Sequence, residues 1–367
     1  MLKKFSVENF KSFEGKFVFD LSNPGNYEFS SECIRNNIVS KGAIYGINGI
    51  GKSNLGLALF DIVNNLTDKN KRLEKYNPFL NLNSKKQYAS FEYEFMFDNK
   101  VLVYSYQKRD VNTFLVESLK IDGKEMIFYD FRERTGFSHF KGSEHISLDD
   151  GSSLSRVKYI MSTSILDDAD ENNLVFKQFK TFVNKMLLFY SLKENNFIGF
   201  KEKSDYIDNI IINEGKLVDF QNLLNKHGLK LELIPQETME GKKMYIKYSN
   251  GSSYFFSVAS TGMSSLALYF SWLIFLNQCS FVFIDEFDAF YHYELAEDII
   301  KELKKDSDTQ IFVTTHNTDL LSNELLRPDT YYVLTSEKID SLNHLTAKDL
   351  RFAHNLQKMF KANAFNN

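Results

Sequence analysis

Cysteine is scarce in this chain: Cys33 and Cys279 are the only two in 367 residues, and they lie far apart. Cys279 opens an apolar stretch and reads as a buried thiol, the state expected of a protein kept in a reducing cytoplasm. No uninterrupted apolar run approaches the roughly 18 residues that a helical membrane span requires, so no membrane partner is expected. The start, Met1-Leu2-Lys3-Lys4-Phe5, leads into alternating polar residues and lacks the apolar core of a secretory signal. Sustained heptads are missing, which excludes a long coiled-coil arm. Internal repeats and low-complexity linkers are missing too. Charge of one sign is not in excess, since the formal net charge is −4 and there is no basic stripe. Nucleic-acid binding therefore cannot be argued from charge. A site for it would have to arise locally, or where two subunits meet.

What is present is the composition of an ordinary soluble globular protein, 43% apolar and 25% charged. The length exceeds that of one usual compact unit, which predicts one large domain with an insertion, or two domains.

The stretch that organises the rest is Ile44-Tyr45-Gly46-Ile47-Asn48-Gly49-Ile50-Gly51-Lys52-Ser53-Asn54. Gly46, four residues, then Gly51-Lys52-Ser53 fit the phosphate-binding P-loop pattern. Glycines let backbone N–H groups close around a triphosphate with no Cβ in the way. Lys52 supplies a point charge for the β- and γ-phosphates, and the Ser53 hydroxyl is placed to ligate Mg²⁺. Ala43-Ile44-Tyr45 reads as the end of a buried strand and 54–66 as a helix, whose positive N-terminal end would face the phosphates. A nucleoside triphosphate site is predicted here.

Around it, 5–10 and 15–20 alternate and form a β-hairpin or two short antiparallel strands. Residues 22–37 read as a loop and 69–86 as a charged connector. From Tyr88 the period changes to two: 88–97, 101–108 and 113–121 alternate, with turns at Asp98-Asn99-Lys100 and Asp122-Gly123-Lys124. This predicts an antiparallel meander, continuing through 125–130 and 139–145. Helical spacing follows over 173–191 and 216–226. Strand alternation returns at 229–234, 243–248 and 253–257. A very apolar helix over 264–276 precedes a buried strand over 281–284. A helix over 294–304, a buried strand over 310–314, a last strand over 329–334 and a helical tail over 345–367 complete the chain. The expected organisation is an N-terminal lobe (1–150) with P-loop and meander, a helical insertion (151–230) and a C-terminal lobe (231–367).

Three further stretches carry chemistry. Phe281-Val282-Phe283-Ile284-Asp285-Glu286 is an apolar strand ending in two carboxylates, at the strand end where ligands of open α/β sheets bind. Asp285 would hold Mg²⁺, and Glu286 would polarise an attacking water. The small-residue loop 257–263 opens a helix whose free N–H groups, with the Ser260 hydroxyl, suit an anion. Thr314-Thr315-His316-Asn317 follows the next buried strand, and a histidine there reaches a γ-phosphate.

The order of these motifs resembles that of ABC-type ATPases: Gly46–Ser53, then Ala259-Ser260-Thr261-Gly262-Met263 as signature, then Asp285-Glu286, then His316 as switch histidine. Within that class the chain is similar to the soluble SMC-like and RecF-like branch. Val7-Glu8-Asn9-Phe10-Lys11-Ser12-Phe13 resembles the "I-x-N-F-K-S-F" start of that branch, and Asp285–His292 resembles its "D-E-x-D-x-S-L-H-P" run. The meander and the ending Asn355-Leu356-Gln357-Lys358-Met359 look like stand-alone ATP-binding proteins of abortive-infection and anti-phage systems. The chain departs from the pattern at Thr261, where the family has a glycine, at Ala259 for leucine, and at Phe290-Tyr291-His292-Tyr293 for Ser-Leu-His-Pro. Gln87 is the one candidate for a Q-loop. No TOPRIM-like segment follows His316, so a nuclease within this chain is not expected.

The resemblance implies an α/β P-loop NTPase fold of the ABC-ATPase type, with a central mixed sheet, an antiparallel meander and a helical insertion. It implies ATP and Mg²⁺ as ligands: Asn48, Gly49, Gly51, Lys52, Ser53 and Asn54 at the nucleotide, Ser260 and Gly262 across a dimer interface, Ser53 and Asp285 at the metal, and Glu286 and His316 in hydrolysis. The implied partners are a second copy of the chain, as homodimer or higher homo-oligomer, and a separately encoded effector in anti-phage defence. The alternative is a RecF/SMC-like DNA-repair or DNA-clamping ATPase, which leaves DNA open as a partner. A transport-energising subunit, a binding module without turnover and a small-molecule kinase fit the motifs less well.

Overall fold

Alternating apolar and polar residues build the first sheet. Strands β1 (Leu2–Glu8) and β2 (Phe17–Asp20) pair antiparallel. The tight turn between them places Asn9 and Lys11 at positive φ, 54° and 46°. The computed structural model describes residues 1–69, 73–149, 151–191, 196–199, 207–288, 293–305 and 308–365. A two-stranded ribbon, β3 (Ile34–Arg35) and β4 (Ile38–Val39), interrupts the loop that follows. Then come the fully buried strand β5 (Lys41–Tyr45) and two short helices, α1 (Lys52–Leu59) and α2 (Asp61–Leu66), where one helix is expected.

The meander is β6 (Ala89–Phe97), β7 (Lys100–Lys108), β8 (Phe114–Ile121), β9 (Lys124–Asp130) and β10 (Thr135–Ser138). It joins the N-terminal hairpin in one seven-stranded antiparallel sheet, β10-β9-β8-β7-β6-β1-β2. The expected strand at 139–145 is instead a turn, and the fifth strand of the meander lies just before it.

Helices α3 (Arg156–Thr163) and α4 (Glu171–Asn184) cover the inner face of this sheet. The helix expected over 173–191 ends at Asn184, and β11 (Met186–Ser191) follows as a strand. Met186-Leu187-Leu188-Phe189 pairs in parallel with Phe281–Ile284 on one side and antiparallel with β12 (Asn196–Gly199) on the other. A strand buried on both faces reads as a continuous apolar run, and such a run carries no period to tell strand from helix.

Helices α5 (Ile207–Asn213) and α6 (Leu217–Lys226) pack on a three-stranded sheet of β13 (Leu233–Thr238), β14 (Gly241–Tyr248) and β15 (Gly251–Tyr254). Then follow α7 (Phe255–Val258), α8 (Thr261–Leu276), β16 (Phe281–Ile284), α9 (Tyr293–Lys305), β17 (Gln310–Thr315), β18 (Tyr331–Leu334), β19 (Ile339–Ser341) and α10 (Leu356–Lys361). The strand expected to be last, over 329–334, is therefore followed by another, β19, at the sheet edge. In the tail, only α10 is helical among the described residues. The segment before it is irregular, and the buried Asn323 side chain ties it down by donating to the carbonyls of Arg351, Phe352 and His354.

The central sheet runs β12-β11-β16-β17-β5-β18-β19. Its five inner strands are parallel and its two edge strands antiparallel, so the sheet is mixed. Sheet alternation divides these strands between two cores. Ile44, Phe281, Phe283 and Phe312 face the core shared with the meander. Ala43, Tyr45, Val282, Ile284, Ile311 and Val313 face the core shared with α8 and α9. Both cysteines are buried thiols that form no disulfide. Among the described residues no helix is long and apolar enough to cross a membrane.

Candidate functional site

The parallel order β16-β17-β5 brings three strand ends side by side, and the site is assembled there. From the end of β5, residues 46–51 loop over into α1, with Gly49 and Gly51 at positive φ, 80° and 116°. Asn48 and Gly49 are exposed at the tip. Gly51 is cramped as well as left-handed: a Cβ there would lie 2.6 Å from the Ser12 hydroxyl oxygen. Asn54 donates to that same hydroxyl at 3.0 Å. The turn between β1 and β2 thus buttresses the phosphate loop, a role that sequence reasoning did not assign to Ser12. Further along α1, Gly56 lets the helix press onto Phe283 of β16, whose ring carbon would stand 3.0 Å from a Cβ.

Lys52 is 6% exposed, and its ammonium donates to the carbonyl oxygens of Gly46 at 2.7 Å and Ile47 at 3.3 Å. Burial lowers its pKa, while the nearby charges of Asp285, Glu286 and Asp288 act against that shift. A cation held under a glycine-rich backbone loop, beside carboxylates, suits a polyanion arriving with its own counter-cation.

Asp285 leaves the end of β16 almost fully buried, and its N–H donates to Phe189 of β11 at 2.8 Å. Burial pushes its carboxyl up; hydrogen bonds from the Ser53 and Thr314 hydroxyls pull it back, the Glu286 charge adds to the rise and the Lys52 charge opposes it. Ser53 and Asp285 therefore meet, although they belong to distant parts of the chain. Together they offer two hard oxygen ligands. Among the described residues no group of three or more His, Cys, Asp or Glu side chains could hold a metal ion. A Mg²⁺ would need phosphate oxygens and water to complete its shell, which is the usual arrangement for that ion.

Glu286 is exposed and left-handed, with φ 48°. Its N–H donates to the Thr314 hydroxyl at 2.8 Å. A residue with a Cβ persists in this region only where its surroundings hold it there. His316 is exposed just past β17, close enough that its charge acts on the carboxyl of Asp288. The Asp288 carboxyl is raised mainly by burial and accepts from the Thr315 hydroxyl at 2.8 Å. Residues 290–292 of the departing Phe290–Tyr293 motif lie outside the described residues.

Ser260 caps α8, its hydroxyl accepting from the Met263 N–H at 3.3 Å, and is exposed; Gly262 lies in the first turn. Among the described residues no hydrogen bond joins either of them to the phosphate loop of the same chain. Gln87 is exposed and donates to the carbonyl of Lys85 within its own loop. Sequence reasoning also gave no role to Thr314, which bonds Asp285 and the Glu286 N–H, or to Thr315, which bonds Asp288. The available signal was two hydroxyls ending a buried strand directly before the histidine.

Residues 43–322 match the family model described as "AAA domain, putative AbiEii toxin, Type IV TA system". No curated protein matches the chain. Among solved structures, an SMC head bound to the C-winged helix domain of ScpA is 17% identical, covering 93% of this chain and 97% of that one at a TM-score of 0.52. The SMC head domain from Thermotoga maritima is 16% identical, with coverage of 93% and 98% and a TM-score of 0.43. RecF with ATP, of the RecFOR pathway, is 17% identical, with coverage of 93% and 99% and a TM-score of 0.40. At this identity the first of these likenesses is one of fold, the mixed α/β fold of an SMC head.

Proposed function

The chain belongs to the family described as "AAA domain, putative AbiEii toxin, Type IV TA system", and from that premise we propose that it is an ATP-binding and ATP-hydrolysing switch that closes as a homodimer around ATP. The observation that carries this reading is the meeting of Ser53 and Asp285 beside Lys52, with Glu286 held next to them by Thr314. The phosphates lie on the amides of the phosphate loop, and Lys52 exchanges the carbonyls of Gly46 and Ile47 for phosphate oxygens. Ser53 and Asp285 would hold Mg²⁺, which would supply positive charge against the phosphates. Glu286 orients a water for in-line attack and accepts its proton, giving ADP and phosphate, while His316 donates to the γ-phosphate. Ser260 and Gly262 open an exposed helix start, and a second copy would set that end of α8 against the γ-phosphate. ATP is then part of the interface, and hydrolysis releases it, because a ligand that binds only the closed form shifts the population toward it.

Removing the base while keeping the shape tests the cycle. Glu286→Gln is expected to abolish phosphate release and double the solution mass in Mg·ATP. A variant that stays monomeric at saturating ATP over several salt concentrations would overturn the mechanism.

The switch acts on a separately encoded effector, in defence of the toxin–antitoxin kind. The family description supports that setting, and the SMC head of similar fold carries a domain of another protein. Co-purification of a stable protein partner is the expected result. ATP-dependent binding to DNA ends or gaps, with no protein partner, would move the assignment to DNA repair or clamping.

A further inference from the structure

The last residues of β17 are built as a double clamp. Thr314 is fully buried, and its hydroxyl is used in both directions: it accepts from the Glu286 N–H at 2.8 Å and donates to the Asp285 carboxylate at 2.6 Å. Its carbonyl accepts in addition from the Phe287 N–H at 3.2 Å. One residue therefore holds three successive residues of the turn after β16. Thr315 repeats the device one residue on, accepting from the Asn317 N–H at 2.9 Å and donating to Asp288 at 2.8 Å.

The chemistry explains why such a clamp is useful. Adjacent carboxylates must do different things, Asp285 facing the cation and Glu286 the attacking water, so the backbone between them has to turn sharply. It does so by placing Glu286 at φ 48°, a conformation that a residue with a Cβ leaves unless held. A β-branched threonine has a stiff χ1, so its hydroxyl is already aimed. A buried hydroxyl also meets no competing water.

We propose that Thr314 is a positioning residue for ATP hydrolysis: its hydroxyl fixes the Asp285 side chain and the left-handed Glu286 backbone as one unit, keeping metal and attacking water in register. This rests on the ATPase reading above. Thr314→Val removes the hydroxyl and keeps the shape, Thr314→Ser keeps the hydroxyl, and Thr315→Val removes the neighbouring clamp without touching Asp285 or Glu286. Two readouts are needed: binding of a fluorescent ATP analogue with and without Mg²⁺, and phosphate release across a Mg²⁺ titration.

Outer partners of metal ligands are typically worth about 10–100-fold in metal affinity or activity. Thr314→Val is therefore expected to bind the analogue without metal like the wild type, to need roughly tenfold more Mg²⁺, and to turn over roughly a hundredfold more slowly at saturating Mg²⁺. Thr314→Ser restores both to within a few-fold, and Thr315→Val keeps the wild-type Mg²⁺ requirement. A normal Mg²⁺ requirement in Thr314→Val, or a Thr314→Ser as defective as Thr314→Val, would overturn the assignment. Absence of phosphate release from the wild type would defeat the ATPase reading alone, since the Mg²⁺ dependence of analogue binding still reports on Thr314.

Discussion

Gly51 shows how function can depend on a backbone with nothing attached. Its φ of 116° is open to glycine and strained for other residues, and the Ser12 oxygen occupies the place where a Cβ would go. Gly51→Ala is expected to lose nucleotide-analogue binding and about 1–2 kcal/mol of stability, the cost of a left-handed alanine. Adding Ser12→Ala relieves the collision and leaves the dihedral strain, so the double variant should stay defective. Recovery of full binding in the double variant would show that crowding alone matters. Glu286 is the complementary case, a residue with a Cβ at positive φ whose N–H is held by the Thr314 hydroxyl.

Among the elements, the P-loop helix is anchored from behind by the meander. In the last turn of α1, the carbonyl of Ala58 accepts from the hydroxyl of Tyr93 in β6 at 2.8 Å, and that of Leu57 accepts from Tyr76, in the connector ahead of the meander, at 3.1 Å. The chain then breaks at Phe60, and α2 begins with Asp61, fully buried and paired with the equally buried Lys108 at 3.0 Å. Tyr106 donates to Asp61 at 2.9 Å, and Lys108 also reaches Asn65 at 2.9 Å. Its ammonium stands over the ring of Phe79, 5.2 Å from the centroid. Burial lowers the Lys108 pKa and the charge of Asp61 opposes that shift. Removing one member of a buried pair strands the other, at a cost of about 3–5 kcal/mol. Lys108→Met should therefore destabilise by about that amount in urea titrations. Combined with Asp61→Asn, it should cost clearly less than the sum of the two single changes. Additive costs would mean that the pair is not coupled. None of this is visible locally, because Asp61 and Lys108 are 47 residues apart and each reads as an ordinary surface charge.

For the molecule as a whole, the central sheet is shared. Neighbouring residues on one strand, such as Ile44 and Tyr45 or Phe283 and Ile284, belong to opposite cores. Neither core can lose its packing without exposing one face of the same strands. The single tryptophan, Trp272, sits in the core with α8 and packs edge-on to Phe189 at 4.6 Å. Stacked tyrosines and phenylalanines such as Tyr93, Tyr104 and Phe95 fill the other. Tryptophan fluorescence and the tyrosine region of near-ultraviolet circular dichroism should therefore report one common unfolding transition. Two separate midpoints would show that the cores unfold independently.

Sequence alone determined the pieces whose chemistry is local. Glycine spacing marked the loop between β5 and α1, an apolar run ending in acids marked β16 and the carboxylates after it, and alternation marked β6 to β9 of the meander. These signals are legible because a loop, a strand face or a helix cap is set by residues within a few positions of one another. Tertiary structure decided which pieces meet. Only the strand order β16-β17-β5 brings Ser53 to Asp285 and sets Thr314 between the two carboxylates. Only burial between β12 and β16 makes 186–191 a strand. Such neighbours are chosen by long-range burial of apolar faces, which many pairings of similar strands satisfy on paper and one satisfies in the packed chain.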